Sequence, residues 1–203
     1  MTATYKSAGV DIKAADKVKS LIAGLAASTH GPEVLTGLGG FGGLYQLAEY
    51  ESPVLVSGTD NVGTKLKIAI AMENYQGLGE DVVNACVNDI VTSGAKPLFF
   101  LDYIATGQVD SDLTQALITG VVKACRENGC ALIGGETSEL PGLFAPKEFD
   151  LSGFAVGVVE KDEILAPESV RQGDILIGLP STGLHTNGSV SYTHLTLPTS
   201  DLV

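Results

Sequence analysis

The amino-acid sequence predicts an α+β fold, with a mixed sheet packed by helices. Three observations carry that prediction. Short apolar runs rich in β-branched and aromatic residues alternate with longer stretches of helical periodicity. Glycine- and proline-bearing breaks separate them. No internal repeat or low-complexity tract interrupts the alternation.

In chain order, Ile12, Val18, Leu21, Ile22 and Leu25 recur at helical spacing, and Pro32 ends that region. "GLGGFGG" (37–43) reads as a loop, and "PVLVS" (53–57) as a short buried strand. Thr64 to Tyr75 reads as a helix with Lys65 in its first turn. Val82, Val83, Cys86, Val87, Ile90 and Val91 form a helical stripe closed by Gly94. "KPLFFLDYIA" is the strongest strand of the chain. Ser111 is the expected cap of a helix whose apolar face runs from Leu113 to Cys125, with its stop at Gly129. "CALIGG", "DLSGFAVGVVE" and "GDILIGLPS" read as three further strands. Polarity and Pro167 mark a boundary near "LAPESVRQGD". The expected organisation is one domain over residues 1–170, the start of a second over 171–188, and a foreign or unstructured tail over 189–203.

A chain of 203 residues is long enough to bury a core. No apolar run reaches the roughly 18 residues of a membrane span, and the first residues lack the pattern of a signal peptide. The net charge of −12 repels nucleic acid and anionic lipid. It repels a nucleotide as well, so a nucleotide site here needs glycine amides, a local lysine or a bound cation. The three cysteines, Cys86, Cys125 and Cys130, sit in apolar surroundings without Cys-x-x-Cys spacing. They read as reduced core cysteines of a cytoplasmic protein.

Two glycine-rich stretches stand out. "GLGGFG", with Gly39, Gly40 and Gly42, matches Gly-x-Gly-x-x-Gly but lacks the strand and helix of a dinucleotide fold. It is either a connector or an anion-binding loop, and the entropy cost of clustered glycines favours the loop. "SGTDNVGTK" spaces Gly58 and Gly63 as a P-loop does, yet Thr64 and Lys65 come in the wrong order. Gly58, Thr59, Gly63 and Thr64 suit a phosphate, and an anion would offset the cost of a lysine near a helix N-terminus. A plain turn explains the same residues equally well.

Asp89, three residues after Cys86 and seven after Val82, reads as lying on the apolar side of its helix, where an unpaired carboxylate is costly and a partner is expected. A metal, a donor or a ligand would explain it, as would a narrow stripe that leaves it in solvent. Asp102, inside "FFLDYIA", poses the same problem, with an edge-strand position as the alternative. Glu136 follows Gly134 and Gly135 at a strand end, where ligands bind in such folds, although a turn-capping acid fits too. His185 and Asn187 in "HTNG" offer an acid–base group and an amide. Asp60, Asp89 and Glu136 together suit magnesium bridging to phosphates.

At these residues the sequence resembles the phosphoribosylformylglycinamidine cyclo-ligase (AIR synthetase) family. The matching stretches are "YKSAGVDI", "PEVLTGLGGFGGLY", "VLVSGTDNVGTKLK", "CVNDIV", "GAKPLFFLDYIATG", "CALIGGETSELPG", "SGFAVGVVEKDEI" and "GDILIGLPSTGLHTNG". The resemblance implies that ATP phosphorylates the formyl-amide oxygen of formylglycinamidine ribonucleotide. An amidine nitrogen then attacks, phosphate leaves and the imidazole ring closes. It implies Asp60, Asp89 and Glu136 as organisers of Mg2+ and phosphates, the glycine loop near ATP, and His185 and Asn187 near the substrate. It also implies a homodimer built through the sheet. Formylglycinamidine synthetase, selenophosphate synthetase and thiamine-phosphate kinase share the implied fold. A fragment that binds nucleotide and dimerises without turnover is the alternative. Asn61 departs from the family's usual glycine, and "SVSYTHLTLPTSDLV" departs from its continuation.

Overall fold

The computed structural model describes residues 12–181, 183 and 185. Among them are four helices, α1 (Ile12–Ala26), α2 (Lys65–Met72), α3 (Leu78–Val91) and α4 (Ser111–Glu127). Four strands accompany them, β1 (Pro53–Asn61), β2 (Lys96–Thr106), β3 (Ala131–Glu139) and β4 (Phe149–Glu160). The expected α+β class is the observed one.

The sheet order is β1-β4-β2-β3. β4 lies antiparallel between β1 and β2, and β2 and β3 are parallel. β1, β2 and β3 therefore run one way and β4 the other. Alternation along each strand gives the sheet two unlike faces. On one face Phe100, Ile104, Leu132, Leu151 and Ala155 are buried under α3 and α4. The other face leaves Leu55 63% and Phe154 49% exposed.

The stripes predicted for α3 and α4 are buried at Val82, Val83, Cys86, Val87 and Ile90 on α3 and at Leu117, Ile118, Val121 and Cys125 on α4, while Val91, at the end of the α3 stripe, is exposed. The two helices touch at Gly79 and Gly120. A Cβ on Gly79 would fall 2.1 Å from the Leu117 carbonyl oxygen, so only glycine permits this crossing.

Some boundaries differ from the sequence reading. Asp110, not Ser111, caps α4: its carboxylate accepts hydrogen bonds from the amides of Asp112 and Leu113, at 2.8 and 3.0 Å. The helix expected to run to Tyr75 stops at Met72, where Glu73 turns left-handed. The strand expected to end at Ser57 continues to Asn61, because its whole length pairs with β4. "GDILIGLPS" forms no strand. Ile175, Leu176, Ile177 and Leu179 are 84–96% exposed, since apolar sequence makes a strand only where a neighbour supplies the hydrogen bonds.

Candidate functional site

The "SGTDN" stretch is strand, and this changes how its residues act. Successive side chains of a strand project to opposite faces. Gly58 and Asp60 face the helix layer, and Thr59 faces the open side of the sheet. The Thr59 hydroxyl donates to the Gly153 carbonyl at 2.8 Å. Thr59 and Asp60 therefore do not line one loop, as the P-loop-like spacing suggested. Gly58 has a packing reason to be glycine: its absent Cβ would lie 3.3 Å from the Asp89 Cβ and from Ile90.

That contact joins Asp89 to the Asp60 neighbourhood. Asp89 is exposed, on the flank of the α3 stripe rather than within it, so no desolvation cost demands a ligand there. Asp60 is half-buried. Between them lies Cys86, whose thiol reaches the Asp60 carbonyl at 3.8 Å. Burial pushes the Cys86 thiol up to about 11, and the charges of Asp60 and Asp89 push the same way. Two carboxylates thus share one corner of the molecule, at the seam between β1 and α3.

Past Asn61 the chain turns at Gly63, with φ of +70°, and enters α2. Lys65 sits in the first helical turn, as the sequence indicated. Its ammonium donates to the Asp81 carboxylate of α3 at 2.5 Å. This ion pair offsets the unfavourable helix dipole at Lys65, a job the sequence reading gave to a bound anion. The pair is about one-third exposed on each side, so its own contribution to stability is small.

Glu136 lies elsewhere. It is an exposed residue within β3, not beyond a strand end, and it pairs in register with Tyr103. β3 is the edge opposite β1, three strand spacings or about 14 Å away. Among the described residues no group of three or more Asp, Glu, His or Cys side chains could hold one metal ion. The three-acid magnesium cluster expected from sequence is therefore not assembled within this single chain. Asp60 and Asp89 remain, and magnesium commonly takes only one or two carboxylates besides phosphate oxygens.

The two glycines before Glu136 also have structural reasons. A Cβ on Gly134 would lie 3.2 Å from the Leu101 side chain. On Gly135 it would lie 2.3 Å from the Asp102 carboxylate. Asp102 is no edge residue. It lies on β2 between β4 and β3 and is 5% exposed. Burial raises its carboxyl to about 7, its own backbone amide opposes the shift, and the Glu136 charge adds to it. The glycine-rich 37–43 loop is again separate. Gly43 packs against Ile133 of β3, and Tyr45 stacks on Phe99 with ring centroids 5.4 Å apart. Gly39 has φ of +122°, and Gly40 and Gly42 lie on the exposed part of the loop beside Phe41. His185 is exposed, and Asn187 lies outside the described residues.

The sheet order β1-β4-β2-β3, with the helices packed on one face, defines the fold class. The N-terminal domain model of the AIR synthase related proteins matches residues 43–159, and the chain belongs to that family. It is 55% identical over 188 residues to the phosphoribosylformylglycinamidine cyclo-ligase of Trichlorobacter lovleyi, covering 92% of this chain and 54% of that protein. To the protein of the same name from Geobacillus thermodenitrificans it is 53% identical over 190 residues, covering 93% and 55%. The chain thus spans about half the length of these relatives. Among solved structures, HypE of E. coli superposes with a TM-score of 0.61 at 18% identity, over 78% of this chain and 47% of that one. A HypE structure in complex with ATP superposes at 0.53, with 18% identity, over 73% and 43%.

Proposed function

We propose that this chain is the nucleotide-binding and dimerising half of an ATP-dependent cyclo-ligase. The reaction closes the imidazole ring of 5-aminoimidazole ribonucleotide from formylglycinamidine ribonucleotide, releasing ADP and phosphate. The observation that carries this reading is the identity of 50% or more, over more than nine-tenths of the chain, to proteins bearing that ligase's name. An amide oxygen leaves poorly until it is phosphorylated, so the reaction needs a site that holds a triphosphate against an acidic protein.

The seam between β1 and α3 supplies it. Asp60 and Asp89 would hold magnesium, which would supply the positive charge that offsets the phosphates of ATP. Gly63, Thr64 and the start of α2 face the phosphates with backbone amides. Gly39, Gly40 and Gly42 close over the nucleotide as a loop. Residues 1–170 form this domain, and 171–188 begin a second one that carries His185 and Asn187 toward the substrate. The reaction belongs to the cytoplasm, where purine nucleotides are made. The net charge of −12 disfavours nucleic acid and anionic lipid as partners.

The open sheet face serves a homodimer. Leu101 and Phe154 pair in register there, Leu55 lies on the neighbouring strand, and Phe99 and Tyr103 extend the apolar surface. A face of this kind, with half-exposed aromatic and aliphatic side chains, gains by covering itself with its own copy. Sedimentation of the chain, compared with Leu55→Asp and Phe154→Asp, tests this: the wild type sediments as a dimer and both variants as monomers.

Calorimetric titration of ATP into the chain tests the nucleotide reading. Binding should require magnesium. ATP binding of equal strength with magnesium and with a chelator present would overturn it.

A further inference from the structure

The stop of α4 is a place where the chain can be changed chemically. Asn128 is followed by Gly129. Asparagine before glycine is the pair most open to spontaneous deamidation, because glycine carries no Cβ to shield its amide nitrogen. In the folded chain the reacting groups are tied down. Asn128 is the C-cap of α4, with φ of −86° and ψ of −2°. Its carboxamide nitrogen donates to the Ala124 carbonyl at 2.9 Å and to the Asn84 side-chain oxygen at 2.8 Å. Both carboxamide hydrogens are therefore engaged, one within α4 and one across to α3. The Gly129 amide, which would be the nucleophile, donates to the Arg126 carbonyl at 3.2 Å, and Gly129 holds a left-handed φ of +64°. Gly129 is nevertheless exposed, and nothing stands within 4 Å of the place a Cβ would take, so water has access to the pair.

We propose that Asn128 is a latent deamidation site, held shut by the Asn84–Asn128 bridge between α3 and α4. When the bridge opens, the Gly129 nitrogen gives up its proton and attacks the Asn128 carboxamide carbon. The bond from that carbon to the side-chain nitrogen breaks, and the nitrogen leaves with the proton as ammonia. A cyclic succinimide remains. Water then adds to one of its carbonyls and opens the ring to aspartate or isoaspartate. No oxidant or reductant takes part.

The product does not remake the contacts it came from. A carboxylate at position 128 has no hydrogen to give to the Ala124 carbonyl. It also stands at the C-terminal end of α4, where the helix dipole disfavours an anion. Isoaspartate lengthens the main chain as well, just before β3 begins at Ala131. The change runs one way, so it marks chains whose α3–α4 seam has loosened.

The experiment incubates the native full chain in mildly alkaline buffer beside the same chain unfolded in urea. Tryptic peptide 127–147 is then read for the mass gain of an amide turned acid, apart from the chain's other Asn-Gly pair at Asn187. The native chain should react at Asn128 at least about tenfold more slowly than the unfolded one, since only locally opened molecules react. Asn84→Ala should react about fivefold faster than wild type, the rise in open population expected from losing one hydrogen bond. Asn84→Asp keeps an acceptor in place and should stay near the wild-type rate. Circular dichroism shows whether each variant is folded, and the comparison with urea needs no variant. Equal rates for native and unfolded wild type overturn the proposal. So does a folded Asn84→Ala that reacts no faster than wild type, or an Asn84→Asp that reacts as fast as Asn84→Ala.

Discussion

Two seams of this molecule each set an aspartate against a glycine, and they treat the acid in opposite ways. At the β1–α3 seam Gly58 makes room for the backbone side of Asp89, and the carboxylate itself stays in solvent. At the β2–β3 seam Gly135 makes room for the carboxylate of Asp102, which is enclosed. The first acid stands in solvent, where water solvates it. The second is held close to neutrality by the protein that surrounds it. The same residue pair, glycine and aspartate, thus yields an exposed carboxylate in one place and an enclosed one in the other. Burial decides the outcome, not residue type.

The largest test of this contrast is the pH dependence of Asp102→Asn. Burial pushes the Asp102 carboxyl up to about 7 in the folded chain, against an ordinary value of 3.8. A folded pKa raised above the unfolded one gives stability that is fully present below about pH 4. It is lost as pH climbs from there through about 7. The loss amounts to on the order of 4 kcal/mol. Asparagine carries no such penalty. The variant should match wild type near pH 4 and exceed it in melting temperature by several degrees at pH 8. Parallel stability curves for the two proteins would show that Asp102 is solvated.

Next comes Gly135→Ala. The added methyl would collide with the Asp102 carboxylate and main chain, and relief requires moving a buried acid. Overpacking of this kind costs about 1–3 kcal/mol, and chemical denaturation would measure it.

Asp89→Asn works on the other seam. We expect about tenfold weaker magnesium-dependent ATP binding, equivalent to about 1.4 kcal/mol. Unfolding free energy should change by less than about 0.5 kcal/mol, because the side chain is exposed. Unchanged affinity in calorimetry would remove Asp89 from the site. The smallest effect belongs to Gly58→Ala. Its neighbours stand at 3.3 Å and can yield, so the cost in denaturation should stay below about 1 kcal/mol. A larger loss there than at Gly135 would reverse the comparison.

The sequence reveals these features unevenly, for physical reasons. α3 and α4 are legible because their stripes recur every three to four residues and are the surfaces actually buried. The stops at Gly94 and Gly129 are legible too, both left-handed. The end of β1 is not, because "SGTDN" becomes strand through pairing with a segment about 90 residues later. Exposed Ile175 to Leu179 shows the reverse error, apolar sequence without a partner. The candidate site was read as three acids. Asp60 and Asp89 both border Cys86 at the β1–α3 seam, and Glu136 stands at the far edge, since strand order cannot be read from local pattern. Asp102 was visible as an acid inside an apolar run, but its central position depends on β4 inserting beside it.

That insertion also orders events in time. β1 joins the sheet's hydrogen-bonded ladder only through β4, the last of the described strands in chain order. In a released chain of only the first 148 residues, β2 and β3 can pair and α3 and α4 can dock. β1 then has no ladder partner. The seam that holds Asp60 forms late, after long loops have closed, and contacts so distant in sequence form slowly. A chain truncated before Phe149 and free of the ribosome would therefore carry a β2–α4–β3 core with an unpaired edge, the kind of species on which chaperones act.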